Sequence, residues 1–337
     1  MHKRVFPLFA CFIATTFMGS DATRGETSAN LSTLPDKVLF ESYADKNWDI
    51  WQINPDGTGR TNITQTNDIH ELYPQASPDG TKICFLVDEG SGRNTSRSLW
   101  VMNRDGSERR KLADGARHAC WSPDSQQIAF AKQEFSKFNI KDYVTKYLYF
   151  HHLVDGQTRV HPNKKIEHIY VPTWSANEDW IIATVHGGMG FGHAIVGIEV
   201  NGDRIVDLKI SGCRPTLSPD GKRLTWSSND HTVNVADITY TDQGPQVSNS
   251  RIVYHHDKMH LYHPEFSPDG RFITFSYGPG GRVASKGPGT HAEVAEMVGV
   301  CGNWDIYIKE FDQPGEPTRV TQSPETSNKE SDWIRTN

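Results

Sequence analysis

The sequence predicts an all-β chain, folded as a six-bladed β-propeller of four-stranded antiparallel blades and closed by a C-terminal strand that joins the N-terminal blade. Three observations carry this reading. A phrase built around Ser-Pro-Asp-Gly recurs at blade-length spacing. Short strand-like runs separated by turn residues follow each copy. The two chain ends hold complementary parts of one further repeat.

The copies read Tyr73-PQASPDGTKICFLV, Ala119-CWSPDSQQIAFAK, Val171-PTWSANEDWIIATV, Arg214-PTLSPDGKRLTWSS and His263-PEFSPDGRFITFSY. Their serines, Ser77, Ser122, Ser175, Ser218 and Ser267, are separated by 45, 53, 43 and 49 residues. Each phrase describes a hairpin. A first strand ends at an aromatic or apolar residue, and Pro then sets φ for the turn that Gly completes. An apolar or alternating second strand follows, such as Lys82-ICFLV. Third strands read Asn47-WDIWQIN, Ser98-LWVMN and Asn303-WDIYIKEF, and short fourth strands read Arg60-TNIT and Arg109-RKLA. Lys37-VLFES begins the series as a second strand, and Glu330-SDWIRTN ends it as a first strand, with Trp333 in the place of Trp121 and Trp174. Five internal phrases and this shared blade make six, and closure leaves no open sheet edge.

Ahead of the repeats, Lys3 and Arg4 precede an uncharged run from Val5 to Gly19, and Ser20-Asp21-Ala22 offers a small-x-small cut. Residues 1–22 are therefore expected to be a signal peptide, 23–36 a linker and 37–337 the propeller, with a mature chain starting near Thr23 and exported to the periplasm or beyond. The apolar run is shorter than the roughly 20 residues that span a bilayer, so no membrane span is expected after signal removal.

The 337 residues are 36% hydrophobic and 23% charged, which excludes a disordered chain. Net charge is −6, and −7 once Lys3, Arg4 and Asp21 leave with the signal, with no basic block; nucleic acid is not an expected partner. The cysteines other than Cys11, namely Cys84, Cys120, Cys213 and Cys301, share no close spacing, so no CxxC site is expected.

Ser-Pro-Asp-Gly hairpins preceded by Trp or Phe, with third strands reading Trp-Asp-Ile-Trp or Trp-Asp-Ile-Tyr, resemble the WD40-like propeller repeats of the TolB type. The resemblance covers roughly residues 37–337. The separate N-terminal domain of TolB is expected to be missing, because only about 15 residues separate the signal from the first strand. The fold and the lack of a nucleophile elbow point to an exported scaffold, expected to be a monomer, that binds a protein or a cell-envelope ligand through its histidine-rich looped face. A different reading is a carbohydrate-active enzyme. Oligogalacturonate lyases resemble this chain in their propeller fold and in a histidine-rich approach to an inner strand, as in His260-LYHPEFSPDG. The reaction implied is β-elimination on an acidic polysaccharide.

Candidate site residues follow from register. Four residues before each repeat serine stand Tyr73, His118, Val171, Arg214 and His263, with Glu330 in the closing blade. Seven before stand His70, His168 and His260. With the loop histidines, 11 of the 14 histidines after the signal fall on one face, the face from which the longest loops are expected to leave, including His186 to His193 and 278–302. His168, His260 and His263, with His70 and His118 nearby, are candidate ligands for a divalent zinc or manganese ion. Arg214 and His260 are candidate catalytic residues, one to neutralise a carboxylate and one to act as base. Hydrogen bonding to strand ends is the plain alternative for these imidazoles. Gly187-GMGFG looks like a glycine-rich loop, yet no Lys-Ser/Thr pair follows it, and a phosphate site is not expected. A short helix is expected over 290–298, capped by Thr290.

Overall fold

The computed structural model describes residues 30–44, 47–90, 95–133, 145–279, 304–322 and 327–336. The expected signal peptide, the expected helix at 290–298 and loop residues 134–144 lie outside them. Six four-stranded sheets form a ring of blades. The chain begins in the closing blade with β1 (Lys37–Ala44), β2 (Asn47–Ile53) and β3 (Thr61–Asn62). The first full blade holds β4 (His70–Ala76), β5 (Lys82–Glu89), β6 (Ser96–Asn103) and β7 (Arg110–Asp114). The second holds β8 (Ala116–Trp121), β9 (Gln127–Gln133), β10 (Thr145–His152) and β11 (Thr158–Val160). The third holds β12 (Ile169–Trp174), β13 (Trp180–Gly188), β14 (Phe191–Glu199) and β15 (Ile205–Asp207). The fourth holds β16 (Cys213–Leu217), β17 (Arg223–Asn229), β18 (Thr232–Thr241) and β19 (Gly244–His255). The fifth holds β20 (His260–Phe266), β21 (Phe272–Gly278), β22 (Asp305–Glu310) and β23 (Thr318–Arg319). Finally β24 (Ser327–Ile334) returns to pair antiparallel with β1, setting Trp333 opposite Val38 and Ile334 opposite Lys37.

The repeated phrase works as its residue types dictate. Ser77 Oγ donates to Asp79 Oδ1 at 2.6 Å and accepts the Lys82 N–H at 2.9 Å, while Asp79 Oδ1 accepts the Thr81 N–H at 3.0 Å. Ser218 with Asp220 and Ser267 with Asp269 repeat the pattern. Serine and aspartate thus satisfy the turn internally, and Gly80 takes the left-handed φ of +70° that the turn demands.

Each inner strand then carries a bulge. Register shifts fall between Leu72 and Gln75, Tyr170 and Thr173, Cys213 and Thr216, and Tyr262 and Glu265. The residue four before the repeat serine has positive φ in every blade: Tyr73 at 54°, His118 at 35°, Val171 at 47°, Arg214 at 59°, His263 at 51° and Glu330 at 50°. Such values are costly for non-glycine residues, most of all for a β-branched one. Bonds from the preceding blade hold three of them. The Tyr73 N–H donates to Glu41 at 2.9 Å, that of Arg214 to Thr184 Oγ1 at 2.9 Å, and that of Glu330 to Ser276 Oγ at 3.0 Å.

The described core consists of apolar clusters that each bridge neighbouring blades. Trp174, Ile181 and Val196 meet Leu148 and Phe150 between the second and third blades. Val38, Phe40 and Trp333 meet Phe272, Ile306 and Ile308 where the ring closes. In the segment read as linker, a 3-10 turn, Leu31–Thr33, is capped by Asn30, and Leu31 and Leu34 pack on the closing cluster.

One loop expectation is corrected. The stretch His186 to His193 is mainly strand: His186 pairs with His193 and Gly188 with Phe191, leaving Met189 and Gly190 as a two-residue turn. Their φ values of 52° and 86° are those of the tight hairpin turn that matches strand twist, which is what the glycines serve.

Candidate functional site

The bulge brings residues at offsets four and two before the repeat serine onto the channel axis. The first ring is Tyr73, His118, Val171, Arg214, His263 and Glu330. Its members fill the channel by touching across it. Arg214 Nε donates to His263 Nε2 at 2.7 Å, so the imidazole carries its proton on Nδ1, which lies 2.7 Å from Glu330 Oε2. The Tyr73 hydroxyl lies 3.5 Å from the same Nε2, and the Tyr73 ring packs edge-on against His118 at 4.9 Å. The Arg214 guanidinium also donates to Cys213 Sγ at 3.0 Å and lies 4.6 Å from the centre of the Tyr262 ring. A cavity of only about 30 Å³ remains beside this ring.

Register therefore unites His118, His263 and Arg214. It does not bring His70, His168 or His260 into their ring. These stand three residues earlier, at the start of the inner strands. His70 Nδ1 accepts the Trp48 N–H at 3.3 Å, and burial lowers its pKa. His168 Nδ1 donates to the Gly187 carbonyl at 2.7 Å. His260 packs edge-on against His231 at 4.9 Å and lies 3.3 Å from the Tyr262 hydroxyl; burial lowers its pKa too. Among the described residues, no three His, Cys, Asp or Glu side chains are grouped to hold one metal ion. The closest imidazoles are paired, as in His186 Nδ1 and His193 Nδ1 at 3.1 Å.

The second ring, two before the serine, is Gln75, Cys120, Thr173, Thr216, Glu265 and Asp332. Sequence reasoning passed over it. The signal was present: an acid stands between Pro264 and Phe266, and another between Ser331 and Trp333, on strands otherwise apolar toward the core. These side chains floor a funnel of about 500 Å³ on the face of the Ser-Pro-Asp-Gly turns, opposite the histidines. Trp121, Trp174, Phe266 and Trp333 form its walls.

The floor is an acid pair. Asp332 Oδ2 accepts the Ala76 N–H at 2.7 Å and Oδ1 accepts its neighbour Trp333 N–H at 2.7 Å, yet burial pushes its carboxyl up to about 7. Glu265 is 8% exposed. Its Oε1 accepts from Thr216 Oγ1 at 3.0 Å. Burial, and then the charge of Asp332, raise its carboxyl well above the ordinary range.

No protein-family model and no curated protein sequence matches the chain. Solved structures do. TolB from Acinetobacter baumannii superposes with a TM-score of 0.61 at 17% identity, over 89% of this chain and 66% of that one. A structure from Agrobacterium tumefaciens assigned to TolB gives 0.57 at 14% identity, over 89% of this chain and 99% of that one. The fold is that of the TolB-type propeller. Hydrazine synthase of Kuenenia stuttgartiensis shares it too, at 0.57 and 11% identity over 89% of this chain and 46% of that one. At these identities the likeness is one of fold. The chain spans just under two thirds of the Acinetobacter TolB. An oligogalacturonate lyase in complex with manganese reaches only 0.44, too low to carry an argument. No helix among the described residues is long and apolar enough to cross a membrane.

Proposed function

We propose that this TolB-type propeller is an exported binding scaffold that receives a segment of a partner protein in the turn-side funnel. One observation carries the reading. The channel is filled at the Arg214–His263–Glu330 level and open below it, so an aromatic-walled cavity of about 500 Å³ with a polar floor faces outward. Concave sites with apolar walls and a few convergent polar groups are where ligands seat, and tryptophans dominate the energy of such contacts. TolB-type neighbours support a scaffold. Export rests on the apolar segment within residues 1–22. For the lyase reading, among the described residues Arg214 is buried on His263 and His260 is packed by His231, at a different level of the inner strand.

A photo-crosslinking side chain placed at Ala176, exposed at the funnel rim, tests this in the native host. It should trap a defined protein partner that a probe at Ser248, on the outer strand β19, does not trap. Substituting Trp174→Ala should then weaken that partner's binding at least tenfold. Identical products from both probes, or binding unchanged by Trp174→Ala, would overturn the funnel as the seat.

A further inference from the structure

The floor of the funnel has a chemistry that its walls do not explain. Glu265 and Asp332 come from adjacent blades, on β20 and β24, and both line the funnel floor, where the charge of Asp332 adds to burial in raising the Glu265 carboxyl. Glu265 is more than nine-tenths buried and borders both the funnel and the small cavity above it. Thr216 occupies its Oε1, while its second oxygen has no hydrogen-bond donor among the described residues. That oxygen is not among the buried side-chain atoms left without a partner, so it opens onto the funnel, where an incoming donor can reach it. Asp332 has its oxygens matched by two backbone N–H groups, so the carboxylate oxygen of the floor that is open to a donor belongs to Glu265.

The other charged and titratable groups leave this acceptor available. Asp79 and Asp124 line the funnel but are bound within their own turns by Ser77 and Ser122. The Cys120 thiol is pushed up by burial and stays protonated. Arg335, at the rim, donates to the Pro268 carbonyl at 3.4 Å. In the ring above, Arg214 and Glu330 are both bonded to His263, and His118 packs against Tyr73. Arg335 is the sole Lys or Arg among the described residues lining the funnel, so no cation of the described chain sits at its floor.

We propose that Glu265 and Asp332 act as a proton-sharing carboxyl pair that captures a cationic side chain of the incoming segment, an arginine guanidinium or a lysine ammonium, and releases a proton as it does so. Two carboxylates sharing one desolvated floor resist full ionisation, so the empty pair holds a proton. A cation entering the floor replaces the proton's role: it donates to the unmatched Glu265 oxygen, the proton leaves to solvent, and the charge-assisted contact is fully formed only when the pair is ionised. The sequence of events balances as one cation bound and up to one proton released. Affinity for a cation therefore rises with pH through the neutral range. The proposal rests on the funnel as the binding seat and adds the chemistry of what it selects.

Calorimetric titration of the chain from Thr23 onward with acetyl-Gly-Gly-Arg-Gly-Gly-amide tests it, against the same peptide with citrulline in place of arginine. Citrulline keeps the shape and removes the charge. Measurements in two buffers of different protonation enthalpy count the protons. The arginine peptide should bind about tenfold more tightly at pH 8 than at pH 6, with up to one proton released at the lower pH. The citrulline peptide should bind at least tenfold more weakly at pH 8. Glu265→Gln and Asp332→Asn, each checked for an unchanged far-UV spectrum and cooperative melting, should reduce proton release. Equal binding of both peptides overturns the carboxyl pair while leaving the funnel as the seat. Arginine binding without proton release overturns it as well. No binding of either peptide also overturns the pair, and the Ala176 cross-linking result then decides the funnel separately.

Discussion

Asp332 shows how one residue can trade stability for chemistry. An aspartate in an unfolded chain titrates near 3.9. In the folded chain burial pushes it up to about 7. Between those values the folded state keeps a proton that the unfolded state gives up. Stability therefore falls as pH rises through that window and levels off above it, by at most about 4 kcal/mol. Glu265 acts with the same sign. So does Glu71, raised to about 7 chiefly by burial, so the wild-type slope alone does not assign the effect. Comparison with a variant does. Asp332→Asn removes one titration and keeps an oxygen for the Ala76 N–H. Urea unfolding should show the wild type losing stability between pH 5 and pH 8, and the variant losing less. Parallel slopes in the two proteins would place the proton elsewhere. The residue-scale reading from sequence was partial for a related reason. Register gave which residues share an offset from the repeat serine: Arg214 meets His263, and Tyr73 links His263 to His118, whereas His168 and His260, expected beside His263, stay at the starts of their strands. It did not give which height is open, because that depends on side-chain size across the axis. Tyr, His, Arg and Glu fill one ring, whereas Thr173, Thr216 and Cys120 leave room in the next.

At the scale of elements, the Ser-Pro-Asp-Gly hairpin was legible because its chemistry is local. Serine, aspartate and glycine satisfy one another within five residues, so the sequence states the turn outright. The inner-strand bulge was not legible. At Tyr73, Arg214 and Glu330 its positive φ values are held by side chains from the preceding blade, such as Glu41 on Tyr73, and no local pattern announces them. The glycines at His186 to His193 misled in the opposite direction: they suggested a long loop and instead serve a two-residue turn inside a continuous hairpin. Equivalent turn glycines also differ in what surrounds them. Gly80 and Gly270 share φ values of +70° and +68°. A methyl at Gly80 would run into the Arg335 carbonyl just beyond the closing strand, whereas a methyl at Gly270 meets nothing within 4 Å. Gly270→Ala should cost only the left-handed penalty, about 1–2 kcal/mol. Gly80→Ala should cost more than that by at least about 1 kcal/mol, since backbone must move as well. Thermal and urea unfolding of the two variants measure the difference, and equal losses would mean that the end of β24 does not press on this turn.

At the scale of the whole molecule, stability resides between blades. Each apolar cluster uses residues of neighbouring sheets, so no blade has a complete core by itself. The ring is then only as stable as its weakest joint, and the closing blade is a joint made from both ends of the described chain. There β24 brings Trp333 to Val38, Phe40 and Phe272, and Asn328 to Ser42 and Asp305, through hydrogen bonds of 2.8 Å and 3.1 Å. Removing residues 327–337 deletes the inner strand of one blade, bares the edge of β1 and opens two inter-blade clusters at once. It also deletes Glu330 and Asp332, one member of each channel ring. The truncated chain should lose its cooperative melting transition rather than shift it by a few degrees, because unsealing one joint frees its neighbours in turn. Adding a synthetic peptide of residues 327–337 in excess should restore the transition in a concentration-dependent way, since the strand would bind only the folded ring. Were the truncated chain to melt as the full chain does, the ring would be held by its other five blades, and the strand joining the two ends would be an ornament rather than the closure.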